Sequence, residues 1–329
     1  MIHSSILNSK ILLVIILLVT ATLIAATEFL YIKKDVNVTY TSEYTLKTSK
    51  TMSKNDIRYS IVIGDSRGKC GVNADLLNTS DQECKYLNLS EDGAIINLTL
   101  ADILSYDKMP ETIILAVSPA DIFGFLDSNY YNKSGNNINI QKYLTFPFKL
   151  RNPYSVSETK INEYLRRKYR FLLGFNEFTN LLLYGKISKY SSASGWTSNV
   201  RLGSYKAYSE ELNVYFYKYL LLENYKNKDL IFKIKNELEN KIEQISYKKS
   251  KIVFIRIPTS DRLRKIENEK FPWFNDYIKS LGVKYGIRYF NFDNYDYNEQ
   301  FSDGSHLTYN EANKFSSMLG DSISTILKK

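Results

Sequence analysis

Histidine is almost missing from this chain of 329 residues: there are two, His3 and His306. An imidazole-based metal centre has almost nothing to draw on, and two cysteines, Cys70 and Cys84, offer little more. No zinc-finger spacing, Walker-type phosphate loop or dinucleotide-binding glycine run occurs, so neither a metal nor a nucleotide cofactor is expected. No internal repeat is present, which sets aside the repeat architectures. Charge is not gathered into blocks: 44 Lys and Arg against 35 Asp and Glu give a net +9 carried by scattered lysines. That pattern reads as a solvated surface with some attraction for anionic glycans or a membrane surface, and nothing in it points to nucleic acid. A hydrophobic fraction of 44% and a charged fraction of 24% are those of an ordinary globular protein.

Two short motifs stand out against this plain background. Tyr59-Ser60-Ile61-Val62-Ile63 is a β-rich apolar run that ends abruptly at Gly64-Asp65-Ser66-Arg67-Gly68, the pattern of a buried strand running into a tight turn. A serine there sits at the carboxyl end of a strand, where open α/β sheets place their ligands. Near the other end, Arg288-Tyr289-Phe290-Asn291-Phe292 reads as a last strand. Leu307 to Leu327 carries helical apolar spacing through Ala312, Phe315, Met318, Leu319, Ile323 and Ile326. Between them lies Asp303-Gly304-Ser305-His306. A serine hydroxyl needs a positioned base to act as a nucleophile, and His306 is the one histidine of the folded part that can serve. A carboxylate three residues before it can fix the ring's tautomer. Each motif also has an ordinary reading: Gly, Asp and Ser are common turn residues, and Asp303 could cap the following helix.

Taken together, Gly64-Asp65-Ser66 near the start of the domain and Asp303-Gly304-Ser305-His306 near its end resemble the first and last blocks of the SGNH (GDSL-type) hydrolases. The stretch Phe301 to Leu307 followed by Asn310 to Ser316 is similar to the membrane-anchored members that serve polysaccharide O-acetylation and teichoic-acid D-alanylation. The resemblance covers roughly residues 58 to 126 and 250 to 329. It implies a three-layer α/β/α, flavodoxin-like parallel sheet, with Ser66 as nucleophile, His306 as general base and then acid, and Asp303 as orienting carboxylate. The second block falls on Tyr86 to Gly93 and implies an oxyanion hole formed by the N–H groups of Ser66 and Gly93. At the third block the chain departs from the pattern. Glu111 to Val117 runs into Ser118-Pro119-Ala120-Asp121, so Ala120 stands where the oxyanion asparagine is expected, and Asp121 matches the block's acidic residue.

The resemblance also implies an activity: a serine acyltransferase moving an acetyl or similar small acyl group onto a cell-surface polysaccharide. A membrane-bound O-acyltransferase would be its donor partner. The alternatives are a carbohydrate esterase with the same triad, or a catalytically silent scaffold in a polysaccharide modification or export complex.

Ile11 to Ala26 is a nearly unbroken apolar run that extends to Ile32, long enough to cross a bilayer of roughly 30 Å. We read residues 1–10 as a cytoplasmic tail, 11–32 as a transmembrane anchor and 33–57 as a polar linker or short edge strand. A cleaved signal peptide is the rival reading. The SGNH-like domain then takes residues 58–126 and 250–329, outside the cytoplasm, interrupted by a mostly helical insertion over 127–249 that caps the sheet. Within the insertion, Ile161 to Leu173, Glu177 to Ile187 and Leu212 to Ile245 carry helical patterns. Arg67, Asp121 and Trp196 are candidate substrate-binding residues. Cys70 and Cys84 are either a disulfide closing a short loop beside the site or two thiols. Five Asn-x-Ser/Thr sequons begin at Asn37, Asn78, Asn88, Asn97 and Asn132, as chance would produce in an Asn-rich chain.

Overall fold

The computed structural model of the chain describes residues 42–55, 57–80, 84–91, 96–124, 189–191, 194, 196–199, 207–218, 223–293 and 301–327, together with 14, 15 and 22. The chain divides into two compact units. One, Tyr40–Pro153 with Ser191–Lys329, is the subject below; the other, Met1–Thr39 with Tyr154–Tyr190, lies almost wholly outside the described residues. Among the described residues no helix is long and apolar enough to cross a membrane. The expected anchor at 11–32 falls outside them, apart from Val14, Ile15 and Thr22.

The apolar runs become a five-stranded sheet: β1 (Tyr59–Ile63), β2 (Lys85–Asn88), β3 (Thr112–Ala116), β4 (Lys251–Arg256) and β5 (Arg288–Asn291). All neighbours pair in parallel, in the order β2-β1-β3-β4-β5. Strands β1 and β3 are buried along their whole length. A parallel strand covered on both faces reads as a continuous apolar run, which is why these two were visible in the sequence. Successive side chains point to opposite faces of the sheet. Tyr59, Ile61, Ile63, Ile113, Leu115, Ile252 and Phe254 share one hydrophobic core with the helices α4 (Ile96–Leu104), α6 (Lys228–Tyr247) and α8 (Phe274–Tyr285). Val62, Ile114, Val253 and Ile255 on the other face are equally buried. The helices α2 (Ser66–Gly71), α3 (Ala74–Ser80) and α9 (Tyr309–Leu327) add nothing to the first core and pack on one another instead.

Two segments differ from the sequence reading. Residues 42–54, taken as part of a linker, form the helix α1 (Ser42–Lys54). Its buried face is largely hydroxyl-bearing: Thr45, Ser49 and Ser53 lie inward with Met52. Ser49 Oγ is 2.9 Å from Tyr106 Oη, and the Lys108 N–H donates to Ser53 Oγ at 2.8 Å. A helix that buries satisfied hydroxyls shows no apolar stripe, so it passes for a polar linker.

The second difference lies in the pattern Leu212 to Ile245, which is two helices. The first, α5 (Ala207–Phe216), ends before a 3₁₀ turn at Glu223–Lys226. Asn227 then caps α6 by accepting from the Leu230 N–H at 3.0 Å. Leu230, Ile231, Ile234, Leu238, Ile242 and Ile245 are the buried stripe of α6. That helix is therefore a layer of the sheet domain between β3 and β4, not part of a cap. The patterns at 161–173 and 177–187 lie outside the described residues.

Because Ile242 is fully buried in the shared core, Ile242→Ala should lower the stability of the whole sheet domain by about 2–5 kcal/mol. Denaturant titration reads this as a shift of the main unfolding transition. A separately folding cap would leave that transition where it is.

Candidate active site

The turn after β1 is shaped by a close approach. A Cβ on Gly64 would lie 2.7 Å from Ala116 Cβ at the end of β3, closer than two carbons tolerate. The chain can therefore cross the mouth of the neighbouring strand only with glycine at this position. Asp65 follows in extended conformation as N-cap of α2, its carboxylate accepting the Arg67 N–H at 2.7 Å. Ser66 is the first residue of that helix and remains partly exposed.

The second segment is a closed loop. A bridge between Phe301 and Leu307 and a 2.9 Å bond from the Ser302 N–H to the His306 carbonyl join its ends. At its tip Gly304 has φ +79, and a Cβ there would meet Glu210 Cγ at 2.8 Å. The loop is held from outside as well. The Ser260 N–H donates to the Gly304 carbonyl at 2.8 Å, and Asn213 Nδ2 of α5 donates to the Asp303 carbonyl at 2.9 Å.

The sheet brings the two segments together. His306 Nε2 lies 2.8 Å from Ser66 Oγ across 240 residues of sequence. On the other side of the ring, Nδ1 is 2.9 Å from Asp303 Oδ2 and 3.0 Å from Oδ1. Asp303 Oδ1 also accepts the backbone N–H groups of Ser305 at 3.1 Å and His306 at 3.0 Å. Burial alone would raise the Asp303 pKa, but the imidazole's charge and hydrogen bond and the two N–H donors outweigh it. The carboxyl is held well below the usual carboxylate range. An ionised carboxylate on Nδ1 leaves Nε2 to take a proton from Ser66, the arrangement that turns a hydroxyl into a nucleophile.

The other candidate residues are placed differently. Arg67 was expected to face substrate, yet it is only 2% exposed, paired with Glu267 at 2.6 Å and stacked over the Tyr217 ring at 5.0 Å. Trp196, a candidate either for stacking on a sugar or for a buried structural ring, is the latter: it is 1% exposed and donates its Nε1–H to the Cys70 carbonyl at 3.0 Å. Asp121 is buried in a π-helical turn, Ala120–Gly124, after β3. Burial first, then the Asp65 carboxyl beside it, push its pKa well above the ordinary carboxylate range. Its N–H donates to Ser118 Oγ at 3.2 Å, and it presents almost nothing to solvent.

Cys70 and Cys84 are not joined as a disulfide: both are buried, Cys70 within α2 and Cys84 with its Sγ 3.2 Å from Ser60 Oγ. Ala120 is fully buried and offers no side-chain donor. Gly93 lies outside the described residues. Two sequon asparagines are spent on the fold: Asn88 and Asn97 are buried, and Asn88 Nδ2 donates to the Gly68 and Val72 carbonyls. Among the described residues no group of three or more His, Cys, Asp or Glu side chains could hold a metal ion.

Sequence reasoning missed Glu267, Tyr217 and Ser305, which surround Arg67 behind the serine and histidine. Ser305 lies within the motif itself; the other two carry no local signal.

No protein-family model and no curated protein matches the chain. Solved structures do resemble it. A lipase/acylhydrolase from Enterococcus faecalis shares 10% identity over 81% of this chain and 95% of its own, with a TM-score of 0.38. Est24, a carbohydrate acetylesterase from Sinorhizobium meliloti, shares 8% over 82% and 99%, with a TM-score of 0.40. The psychrotrophic esterase EstA from Pseudoalteromonas sp. shares 10% over 83% and 100%, with a TM-score of 0.37. These neighbours are an acylhydrolase, an acetylesterase and an esterase. The superpositions are loose, and the chemical case rests on the contacts of Ser66, His306 and Asp303.

The depressed Asp303 carboxyl predicts a particular acid response. Its folded pKa lies below its unfolded value, so its contribution to stability is complete above roughly pH 5 and is lost as pH falls through the acid range. Unfolding of wild type and Asp303→Asn, compared at pH 7 and pH 3, should show a stability gap that narrows at the lower pH. A gap of constant size would mean that the carboxyl is not held ionised by its neighbours.

Proposed function

We propose that this chain is a membrane-anchored serine acyltransferase of SGNH type that moves an acetyl or similar small acyl group onto a cell-surface polysaccharide. The observation that carries the reading is the 2.8 Å approach of His306 Nε2 to Ser66 Oγ with Asp303 on the far ring nitrogen. In the first half-reaction Ser66 Oγ bonds to the acyl carbon and its proton passes to His306 Nε2. The charge on the former carbonyl oxygen is met by the Ser66 N–H, which lies in the unladdered first turn of α2; the sequence resemblance adds Gly93 as the second donor. Collapse expels the donor's oxygen, which takes the proton back from His306. A sugar hydroxyl then attacks the acyl-serine, gives its proton to His306 and leaves as the ester, and Ser66 is restored. Asp303 steadies the imidazolium in both halves.

The acceptor and the donor partner, a membrane-bound O-acyltransferase, come from the sequence resemblance to the membrane-anchored members. The anchor and the extracytoplasmic placement come from that likeness and from the apolar run at 11–32. One observation favours a second reading: Ala120 supplies no side-chain donor where the family's pattern has one. Removing one such donor costs about 3–4 kcal/mol of transition-state stabilisation, enough to favour a slow or silent centre.

Labelling of the full chain with a fluorophosphonate distinguishes these readings. An activated serine reacts, and Ser66→Ala abolishes the signal while the unfolding transition stays in place. In the cell the same variant should lose polysaccharide acylation. A wild-type chain that does not label, or a Ser66→Ala variant that still does, overturns the assignment.

A further inference from the structure

Behind the serine and histidine lies a buried set of charges that the proposed reaction does not use. Arg67 Nη2 donates to Glu267 Oε1 at 2.6 Å, and its Nε to Ser305 Oγ at 3.3 Å. The other carboxylate oxygen of Glu267 accepts from Arg256 Nη2 at 3.1 Å, and Arg256 in turn pairs with Asp293 at 3.2 Å. Tyr217, just past α5, shares a hydrogen bond of 3.1 Å with the same Ser305 hydroxyl. Arg67, Arg256 and Glu267 are each 2% exposed or less.

Stability does not account for this cluster. Ion pairs taken out of water lose about as much in hydration as they gain in attraction, and well-packed apolar replacements are often as stable or more so. Arg67 even keeps a buried Nη1 without a partner, a further loss. What sets the cluster apart is where it touches the chain. Arg67 follows Ser66, and Ser305 precedes His306. The Ser305 N–H bonds to Asp303 Oδ1, Asp303 holds His306, and His306 holds Ser66. The contacts close a ring: Ser66, Arg67, Ser305, Asp303, His306 and back to Ser66. Glu267 fixes the guanidinium from outside that ring, on α7 (Asp261–Lys270).

We propose that Arg67, held by Glu267, is a positioning residue. It ties the helix that begins with Ser66 to the loop that carries His306 and so sets the distance between the two reacting groups. A point charge could not substitute, because the planar guanidinium spans Glu267 and Ser305 at once through different nitrogens. The proposal rests on the serine chemistry proposed above and adds what keeps its geometry. Misplacing a reacting group by about 1 Å can cost about 100-fold in rate. Loss of this tie should therefore slow the chemical step without altering ground-state binding.

The test compares the full-length wild type with Arg67→Met/Glu267→Leu and with Ser305→Ala. The double substitution removes one charge of each sign and leaves Arg256 facing Asp293, so the buried charge stays balanced. The single substitution leaves the ion pair in place and removes only the hydroxyl that Arg67 Nε and Tyr217 share. Fluorophosphonate labelling rates, kcat and KM for p-nitrophenyl acetate and denaturant midpoints are measured on each.

Both variants should unfold cooperatively near the wild-type midpoint, label about 10- to 100-fold more slowly, and lose kcat at unchanged KM. Arg67→Lys should not restore the rate. Folded variants that label and turn over like wild type overturn the proposal while leaving the serine assignment intact. If the double variant does not fold, Ser305→Ala decides alone by the same criterion. A wild type that fails to label overturns the serine assignment and this proposal together.

Discussion

A hydrogen bond between residues 66 and 306 can form only if the fold returns the chain, after 240 residues, to within 2.8 Å of where it left. A parallel sheet accomplishes this by direction alone. All five strands point the same way, so every loop that follows a strand emerges at one edge. Ser66 follows β1, Asp121 follows β3, Ser260 follows β4, and Asp293 and the His306 loop follow β5. Placing β1 between β2 and β3 puts the nucleophile turn where the strand order reverses. Gly64 then lets that turn lie against Ala116. The core on either face of the sheet serves the same end, because any slip of β1 against β3 would move Ser66 away from the loop that must meet it.

What was legible in the sequence follows from how local each signal is. The strand at Tyr59–Ile63 and the run into Ala116 were readable because a fully buried parallel strand cannot avoid being apolar. The Ser66, Asp303 and His306 candidates were readable because histidine is so scarce that little else could pair with a serine. The illegible parts depend on partners far along the chain. Glu267 sits in a helix reading Asp-Arg-Leu-Arg-Lys-Ile-Glu-Asn-Glu-Lys, the picture of an exposed segment, and yet it is fully buried because Arg67 and Arg256 converge on it. Arg67 looked like a binding residue for its chemistry, and burial reassigns it to the frame, where Trp196 also lies. The cysteines had a plausible spacing for a disulfide, but spacing carries no information on where Cβ vectors point. Helix α1 escaped notice because its inward face is made of hydroxyls.

The buried charges near the site are handled in two ways, and the difference bears on the chemistry. Arg67, Arg256 and Glu267 are compensated by pairing, whereas Asp121 lies buried beside Asp65, and burial first and then that carboxyl push its pKa well above the ordinary carboxylate range. An ionised Asp121 close to the Ser66 turn would oppose the oxyanion of the proposed reaction in a region of low dielectric. The upward push on the Asp121 pKa lessens that opposition. Asp303 is the opposite case: it is less deeply buried and lies against an imidazole and two N–H donors, which hold its pKa well below the usual carboxylate range. Two aspartates within one site are thus driven in opposite directions, Asp121 upward chiefly by burial and Asp303 downward by the imidazole and two N–H donors. The carboxylate held low stands on the far ring nitrogen of the histidine, and the carboxyl held high stands in the turn that follows β3.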